Sequence, residues 1–156
     1  MTPGLKVLVV DDNDDIRLLM RRVLQWGGFE VTEADRGQVA LDLLAAGDLP
    51  AVTLLDVQMP DMDGWDTLAA IRADPATADL PVILCTVKGR PVDVERGWSL
   101  GCDGYLTKPF DVDEVVAEVH AVVARDEPER SAVRAAGRAE ARRLLERTGA
   151  QSQASR

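Results

Sequence analysis

The stretch AVTLLDVQMPDMDG, residues 51–64, decides the fold. Its first five residues, Ala51–Leu55, are an apolar run that ends on an acid, Asp56, and a loop rich in Pro, Asp and Gly follows. A short apolar run bounded by turn residues is typical of a strand buried on both faces. Apolar residues at helical spacing, Trp65 and Leu68, follow the loop. The stretch therefore predicts a strand, a loop and a helix, with a carboxylate where the strand ends.

The same alternation extends in both directions along the chain. We predict five strands, at Leu5–Val10, Phe29–Ala34, Ala51–Leu55, Pro81–Cys85 and Tyr105–Thr107. A helix follows each strand, and the helix over Val92–Leu100 is predicted to be interrupted by Gly97. Strands that alternate with helices form a parallel sheet covered on both faces, with right-handed crossovers. The sequence therefore predicts a doubly wound α/β fold with a five-stranded parallel sheet.

Polar residues stand at or just beyond the carboxyl ends of four strands: Asp11 and Asp12, Asp56, Thr86, and Lys108. Functional sites of doubly wound sheets lie at this edge, so we expect these side chains to converge. Acids are also common at strand ends and turns for local reasons, which is the alternative for Asp11 and Asp12 taken alone. Three carboxylates at one edge repel one another unless a cation lies between them. Oxygen ligands without His or Cys favour a hard ion, Mg²⁺ or Mn²⁺.

Lys108 and Thr86 add hydrogen-bond donors to this group of acids. Taken singly, Lys108 can be a surface cation that balances the acids, and Thr86 a strand-end residue with a local hydrogen bond. Together with a divalent cation they form a receptor for a phosphoryl group, whose oxygens the cation and the ammonium neutralise. The carboxylate of Asp56 is then the group that attacks phosphorus.

Charge and composition limit the class of protein. The 156 residues include 27 acidic and 18 basic ones, for a net charge of −9, and only 5 of the acidic residues lie in 126–156. An acidic body repels phosphate backbones, so nucleic-acid binding by residues 1–125 is disfavoured. The two cysteines form neither a disulfide framework nor a metal-binding pattern. The sequence shows no signal segment and no apolar run of membrane length, so we expect a soluble, cytoplasmic protein.

Residues 126–156 differ from the rest of the chain because they are rich in Ala and Arg. Pro128 interrupts the preceding helical pattern and is typical of the start of another helix. Arginines at four-residue spacing make a basic stripe, which is usually a solvated face: Arg130, Arg134, Arg138 and Arg142. Docking to an acidic partner, self-association and weak contact with nucleic acid are the alternatives. The end of the chain, from Gly149, is expected to be frayed.

Four fragments, in this order, resemble the receiver domains of bacterial two-component response regulators. They are VVDDN at 9–13, LLDVQMPDMDG at 54–64, LCT at 84–86 and GYLTKPF at 104–110. The resemblance covers about four-fifths of the chain and implies a flavodoxin-like sheet with strand order 2-1-3-4-5. We therefore divide the chain into a receiver domain, residues 1–125, and a helical tail, residues 126–156.

The resemblance also implies roles for the residues at the acidic edge. Asp56 resembles the phosphoacceptor. Asp11 and Asp12 resemble the metal-binding acids, and the side chain of Asp56 and the backbone carbonyl of Gln58 complete the protein ligands. Lys108 resembles the lysine that pairs with the phosphoryl group and assists its transfer, and its bond to the following proline is expected to be cis.

A second set of residues is implied to switch and tune the domain. Thr86 resembles the hydroxyl that moves toward the phosphorylated aspartate, and Tyr105 the aromatic ring that changes rotamer with it. Gln58 and Lys88 occupy the positions that tune hydrolysis of the acyl phosphate. The surface that responds is expected to be the face formed by residues 92–125.

The function implied is that of a single-domain response regulator. It accepts a phosphoryl group on Asp56 from a sensor histidine kinase or phosphotransfer protein, in a Mg²⁺-dependent step, and then switches binding of a downstream protein. In this interpretation it is not an enzyme, although it assists its own phosphorylation and dephosphorylation. A homodimer through the 92–125 face or the tail is a further expectation. The alternatives are a pseudo-receiver scaffold that is never phosphorylated, a metal-dependent phosphohydrolase, and a DNA-binding regulator that acts through the Arg-rich tail.

Overall fold

The computed structural model describes the backbone of residues 4–154 and the side chains of residues 4–149. Within these limits, strands and helices alternate around one sheet. The strands are β1 Lys6–Val10, β2 Glu30–Ala34, β3 Val52–Leu55, β4 Val82–Thr86 and β5 Gly104–Thr107. The helices are α1 Asp14–Trp26, α2 Gly37–Ala45, α3 Gly64–Ala73, α4 Pro91–Ser99, α5 Val112–Ala124 and α6 Glu127–Ala154. The order β2-β1-β3-β4-β5, with every pairing parallel, confirms the predicted doubly wound sheet.

The register of the sheet brings the ends of the central strands level with one another. Val10, the last residue of β1, pairs with Leu55, the last residue of β3, and Leu55 pairs with Leu84 of β4. The chain therefore leaves β1 and β3 at the same edge. Asp11 and Asp56 are the first residues after these two strands, so they start from neighbouring backbone positions.

Both faces of the sheet are covered. Along β1, Leu8 and Val10 pack with side chains of α2 and α3, whereas Val7 and Val9 pack on the opposite face with α1 and α5. Successive side chains of a strand point to opposite faces, which explains this division. Every residue of β3 and β4 is buried, as expected for central strands with helices on both sides.

Gly97 does not interrupt α4, which corrects the prediction from the sequence. The helix runs without a break through this position. A Cβ atom at Gly97 would lie 2.8 Å from Leu84 Cδ1 and 2.8 Å from Tyr105 Cε2. The glycine therefore lets α4 approach the sheet closely, and this packing outweighs its poor helix propensity of about 1 kcal/mol.

The helix over the tail, α6, packs against α4. Its presence confirms the predicted C-terminal helix, but the basic stripe is not the solvated face that the spacing indicated. Arg130 and Arg134 keep only 11% and 14% of their side chains exposed, and both lie against the carboxylate of Asp103. The stripe is thus partly an internal contact, because a buried acid outside the tail faces it.

The backbone of α6 continues to Ala154, beyond the point where the sequence predicted fraying. Gly149 lies within this helix, since one glycine weakens a helix without ending it. Ser155 and Arg156 lie outside the described residues. Within 4–154, none of the helices has the length and apolar character needed to span a membrane.

Candidate functional site

Three carboxylates meet at the carboxyl edge of the sheet. Asp11 and Asp12 follow β1, and Asp56 follows β3; one oxygen from each lies within 4.8 Å of the others. Asp11 and Asp56 are only 4% and 6% exposed, whereas Asp12 is exposed. The cluster is therefore buried on its inner side and open to solvent on its outer side.

Lys108 supplies the positive charge nearest to these acids. Its Nζ lies 2.7 Å from Asp11 Oδ2 and 3.3 Å from Asp56 Oδ2. Burial raises the pKa of Asp56, and the charge of Asp11 raises it further, although Lys108 acts in the opposite direction. Burial lowers the pKa of Lys108, but the hydrogen bond to Asp11 and the charge of Asp56 outweigh it and keep that pKa above its usual value. The ammonium is thus held charged between two carboxylates.

The donor set fits a hard divalent cation. Three carboxylate oxygens this close together, with one ammonium beside them, leave an excess of negative charge that a cation such as Mg²⁺ neutralises. The open side at Asp12 leaves room for water molecules, which Mg²⁺ usually retains. Gln58 lies next to this group, and its N–H donates to Asp56 Oδ1 at 3.3 Å. Ligation by the Gln58 carbonyl stays a prediction.

Thr86 and Tyr105 lie on the neighbouring strands β4 and β5. Thr86 is fully buried, its hydroxyl accepts a hydrogen bond of 3.2 Å from the N–H of Lys88, and its carbonyl accepts one of 2.8 Å from the N–H of Lys108. The Tyr105 hydroxyl donates to the carbonyl of Lys88, and its ring lies against Gly97. Lys88 therefore joins the two side chains that the sequence analysis assigned to a switch. The bond between Lys108 and the following proline is cis, as expected.

Two residues at this edge escaped the sequence analysis. Arg17, on α1, donates through Nη1 to the carbonyl of Asp11 at 2.7 Å, and its side chain is 15% exposed. Gly64 begins α3 against the strand end, where a Cβ would overlap the carbonyl of Asp56 and lie 2.6 Å from the Cα of Val57. Gly64 is the last residue of the fragment at 54–64, and a glycine at that position could have indicated that the start of α3 lies close to the backbone at the end of β3. Nothing in the sequence spacing of Arg17 distinguished it from Arg21 and Arg22, which are exposed on the same helix.

An apolar groove opens beside Lys108, between α1 and the segment that follows β5. Six further residues line it: Ile16, Leu19, Met20, Val87, Pro109 and Phe110. Leu19 and Val87 are exposed, at 47% and 55%. A partner seated in this groove would stand next to the acidic cluster.

Comparisons with known proteins agree on one family. A family profile for the response regulator receiver domain matches residues 7–120. The transcriptional regulatory protein CpxR of Escherichia coli (strain K12) is 42% identical over 120 residues, which are 77% of this chain and 50% of CpxR. The DNA-binding dual master transcriptional regulator RpaA of Synechocystis sp. is 37% identical over 120 residues, 77% of this chain and 49% of RpaA. The chain thus spans about half the length of these relatives.

Among solved structures, the chemotaxis protein CheY4 of Vibrio cholerae matches the fold with a TM-score of 0.71. The two chains are 31% identical, and the match covers 76% of this chain and 98% of CheY4. The residues outside the family match include α6, which begins after residue 120.

Proposed function

This chain belongs to the response regulator receiver domain family, and from that premise we propose that it accepts a phosphoryl group on Asp56 and thereby switches the binding of a partner protein. One observation carries the proposal. Lys108 bridges Asp11 and Asp56 in a carboxylate cluster at the edge of the sheet. This arrangement offers a nucleophilic oxygen beside the positive charge that a phosphoryl group requires.

In the proposed reaction, a carboxylate oxygen of Asp56 forms a bond to phosphorus of a phosphohistidine. The phosphorus–nitrogen bond of the donor breaks, and its electron pair stays on the imidazole, which takes up a proton from water. Lys108 pairs with the oxygens of the transferred group, so it turns from Asp11 toward the phosphoryl group as the negative charge on Asp56 grows. A bound Mg²⁺ supplies further neutralisation of phosphoryl oxygens.

The proposed switch follows from the contacts of Thr86. Its hydroxyl accepts from the N–H of Lys88, which leaves its own O–H to donate to a phosphoryl oxygen. Movement of Thr86 toward Asp56 pulls on the loop that holds Lys88, and Lys88 in turn holds the Tyr105 hydroxyl. The change thereby reaches the face formed by residues 92–125.

We propose that the phosphodonor, a histidine kinase or phosphotransfer protein, seats on the apolar groove beside Lys108. In this proposal the chain processes no separate substrate and only assists its own phosphorylation and dephosphorylation. Membership of the receiver family supports a cytoplasmic location, where such donors present their phosphohistidine.

The test is the intact mass of the protein after incubation with acetyl phosphate and Mg²⁺. We expect the wild type to gain one phosphoryl group and the Asp56→Asn variant to gain none. Asp61→Asn is the matched control, because it makes the same change at an exposed position in the same loop. A wild type that gains no phosphoryl group at any concentration of Mg²⁺ would contradict the proposal and favour a scaffold of the same fold.

Regulation of transcription through DNA is the second candidate function, because the relatives CpxR and RpaA are named as transcriptional regulators. The exposed arginines of α6 are the available contacts with phosphates, for example Arg142 and Arg143. Fluorescence anisotropy with a labelled DNA duplex, over a range of salt concentrations, tests it. Binding that weakens steeply with salt and is lost in an Arg142→Gln, Arg143→Gln double variant would support it. Absence of binding at low salt would contradict it for this chain.

A further inference from the structure

The helix α6 is held at two places that belong to different parts of the domain. The first is the carboxylate of Asp103, just before β5, whose Oδ1 lies 2.9 Å from Arg134 Nε and 3.5 Å from Arg130 Nε. Asp103 Oδ2 also accepts from the N–H of Val82, the first residue of β4, at 2.9 Å. This contact therefore fixes the start of α6 to the sheet, at the edge opposite Asp56.

The charged groups at this first contact form a buried cluster. Asp103 is 1% exposed and also accepts from Arg72 Nη2 at 3.0 Å, so three guanidinium groups surround one carboxylate. Arg130 is further tied by a hydrogen bond to the carbonyl of Asp79. Burial lowers the pKa of Arg72 to about 10, and the charge of Arg134 contributes to this shift. An ion cluster that is this well shielded is weakened little by salt.

The second contact is with α4, which is not part of the sheet. Gly137 lies so close to Trp98 that a Cβ atom on it would overlap the indole ring. Ala141, one turn later, is 2% exposed, and Arg142 Nε lies 3.9 Å from Glu95 Oε1. Small residues of α6 thus pack on α4, while a basic residue beside them faces an acid of α4.

Trp98 connects α6 with the proposed switch. Its neighbour Gly97 is in contact with the Tyr105 ring, and the Tyr105 hydroxyl is bonded to the carbonyl of Lys88 in the loop before α4. In the proposed switch this loop moves toward Asp56, and a displacement of α4 with the loop would shift α4 relative to the sheet. The helix α6 would then lose either its packing on α4 or its bonds to Asp103, which is fixed to the sheet.

We propose that α6 is a displaceable occupant of the α4 face, and that phosphorylation of Asp56 releases it so that a helical segment of a partner protein can bind there. The contacts of α6 define the chemistry of that segment: a small residue opposite Trp98 and a basic residue near Glu95. This inference rests on the proposed function. It adds that the chain carries its own competitor for the partner, and that docking of α6 opposes phosphorylation.

Linkage provides the test, because if phosphorylation weakens docking of α6, weaker docking must strengthen phosphoryl binding by the same factor. Gly137→Leu places a side chain where the Trp98 ring lies, so it blocks docking, and it raises the helix propensity of α6 itself. Gly149→Leu is the matched control: it makes the same change on the same helix, and a Cβ there meets no atom within 4 Å in the described part of the chain. Arg134→Gln independently weakens the contact with Asp103. Its control is Arg143→Gln, because Arg143 is exposed.

The full-length variants are titrated with beryllofluoride, a phosphoryl analogue, in the presence of Mg²⁺, and binding is followed by calorimetry. We expect Gly137→Leu and Arg134→Gln to bind at least about fivefold more tightly than the wild type, and both controls to match the wild type. Hydrogen exchange within residues 130–145 is measured on the same samples. Exchange there should accelerate when beryllofluoride binds to the wild type, and should already be fast in Gly137→Leu.

A labelled peptide with the sequence of residues 135–149 serves as the helical probe, because it lacks Arg130 and Arg134 and can make only the contact with α4. We expect it to bind the beryllofluoride-loaded wild type and unloaded Gly137→Leu, and to bind the unloaded wild type at least about fivefold more weakly. Beryllofluoride binding without a change in exchange, equal affinity in all variants, or a peptide that binds neither form would each overturn this inference alone. A wild type that binds no beryllofluoride would overturn the proposed function as well, so the two failures are distinguishable.

Discussion

Lys108 and Asp11, which are 97 positions apart in the chain, form the shortest ion pair of the acidic cluster, at 2.7 Å between Nζ and Oδ2. The corresponding distance from Lys108 to Asp56 is 3.3 Å. The lysine is therefore held mainly by an acid that is not the proposed phosphoacceptor. The ion pair of Asp56 with Lys108 is thus longer than that of Asp11. Lys108 holds the two carboxylates together in addition to facing the proposed phosphoacceptor.

Replacing Lys108 by Met should destabilise the fold. Two buried carboxylates then lose their cation, and we expect the free energy of unfolding to fall by about 2 kcal/mol at neutral pH. Urea unfolding measures this, and added Mg²⁺ should restore part of the loss because it neutralises the same acids. Lys6→Met is the control. Lys6 pairs with the exposed Asp48, so this substitution should change the free energy of unfolding little. Equal effects of the two variants would contradict the role of Lys108.

Mg²⁺ should stabilise the wild type and not an Asp12→Asn variant. A ligand that binds only the folded state at 100 times its Kd adds about 2.7 kcal/mol, which appears as a higher Tm. Asp12 is exposed, so its substitution should leave the Tm without Mg²⁺ almost unchanged. Asp15→Asn, at an exposed position outside the cluster, should respond to Mg²⁺ as the wild type does. The same Mg²⁺ response in Asp12→Asn and wild type would refute the proposed ligand set.

Gln58→Ala and Lys88→Ala should alter the lifetime of the phosphorylated form more than the stability of the fold. Gln58 is exposed and touches Asp56 only through its backbone, so its side chain is free to act on the acyl phosphate. We expect a change of about threefold or more in the dephosphorylation rate, roughly 0.7 kcal/mol in the barrier. Gln25→Ala, exposed on α1, is the control. The dephosphorylation rate is obtained from the intact mass measured over time. Unchanged lifetimes of the phosphorylated form in both variants would contradict a role of Gln58 and Lys88 in tuning hydrolysis.

Cys85 and Cys102 should be unreactive in the folded protein. Both thiols are buried, and burial raises the pKa of Cys85 to about 12 and also raises the pKa of Cys102. A raised thiol pKa means that the neutral form prevails at mildly alkaline pH, and only the thiolate reacts quickly. A disulfide-exchange reagent should therefore label neither cysteine until urea unfolds the protein. Labelling of either one in the native state would contradict the burial described.

Asp103→Ala should be among the most destabilising substitutions. It removes the acceptor for Arg72 and Arg134 and leaves their charges facing one another. Removing one partner from a buried ion cluster costs about 3–5 kcal/mol, which urea unfolding measures. Asp79→Ala is the control. Asp79 is exposed, and it accepts a hydrogen bond from Arg130 through its backbone carbonyl. Removing its side chain should therefore lower the free energy of unfolding by less than about 0.5 kcal/mol.

The sequence predicted the sheet and the acidic edge for a simple physical reason. Parallel strands end at a common edge, so residues that directly follow strands, such as Asp11 and Asp56, must lie close together whatever the details of packing. The behaviour of Gly97 was not predictable, because its helix propensity is a local property whereas its contact with Tyr105 is not. The same holds for Arg130 and Arg134, since the acid that buries them, Asp103, stands in a loop that no periodicity connects with the tail.

The contact between Gly64 and the backbone of Asp56 has a consequence for how the domain can deform. On that side the start of α3 touches the strand end directly, and the N–H of Gly64 donates to the carbonyl of Val57 at 2.8 Å. A larger side chain has no space there, because even a Cβ atom at Gly64 would overlap the carbonyl oxygen of Asp56. On the opposite flank, Thr86 and Lys88 are joined by one hydrogen bond of 3.2 Å. A side chain at position 64 would therefore have to displace the backbone that carries the reactive carboxylate, whereas the loop at Lys88 can change its contact with the Thr86 hydroxyl by breaking one hydrogen bond.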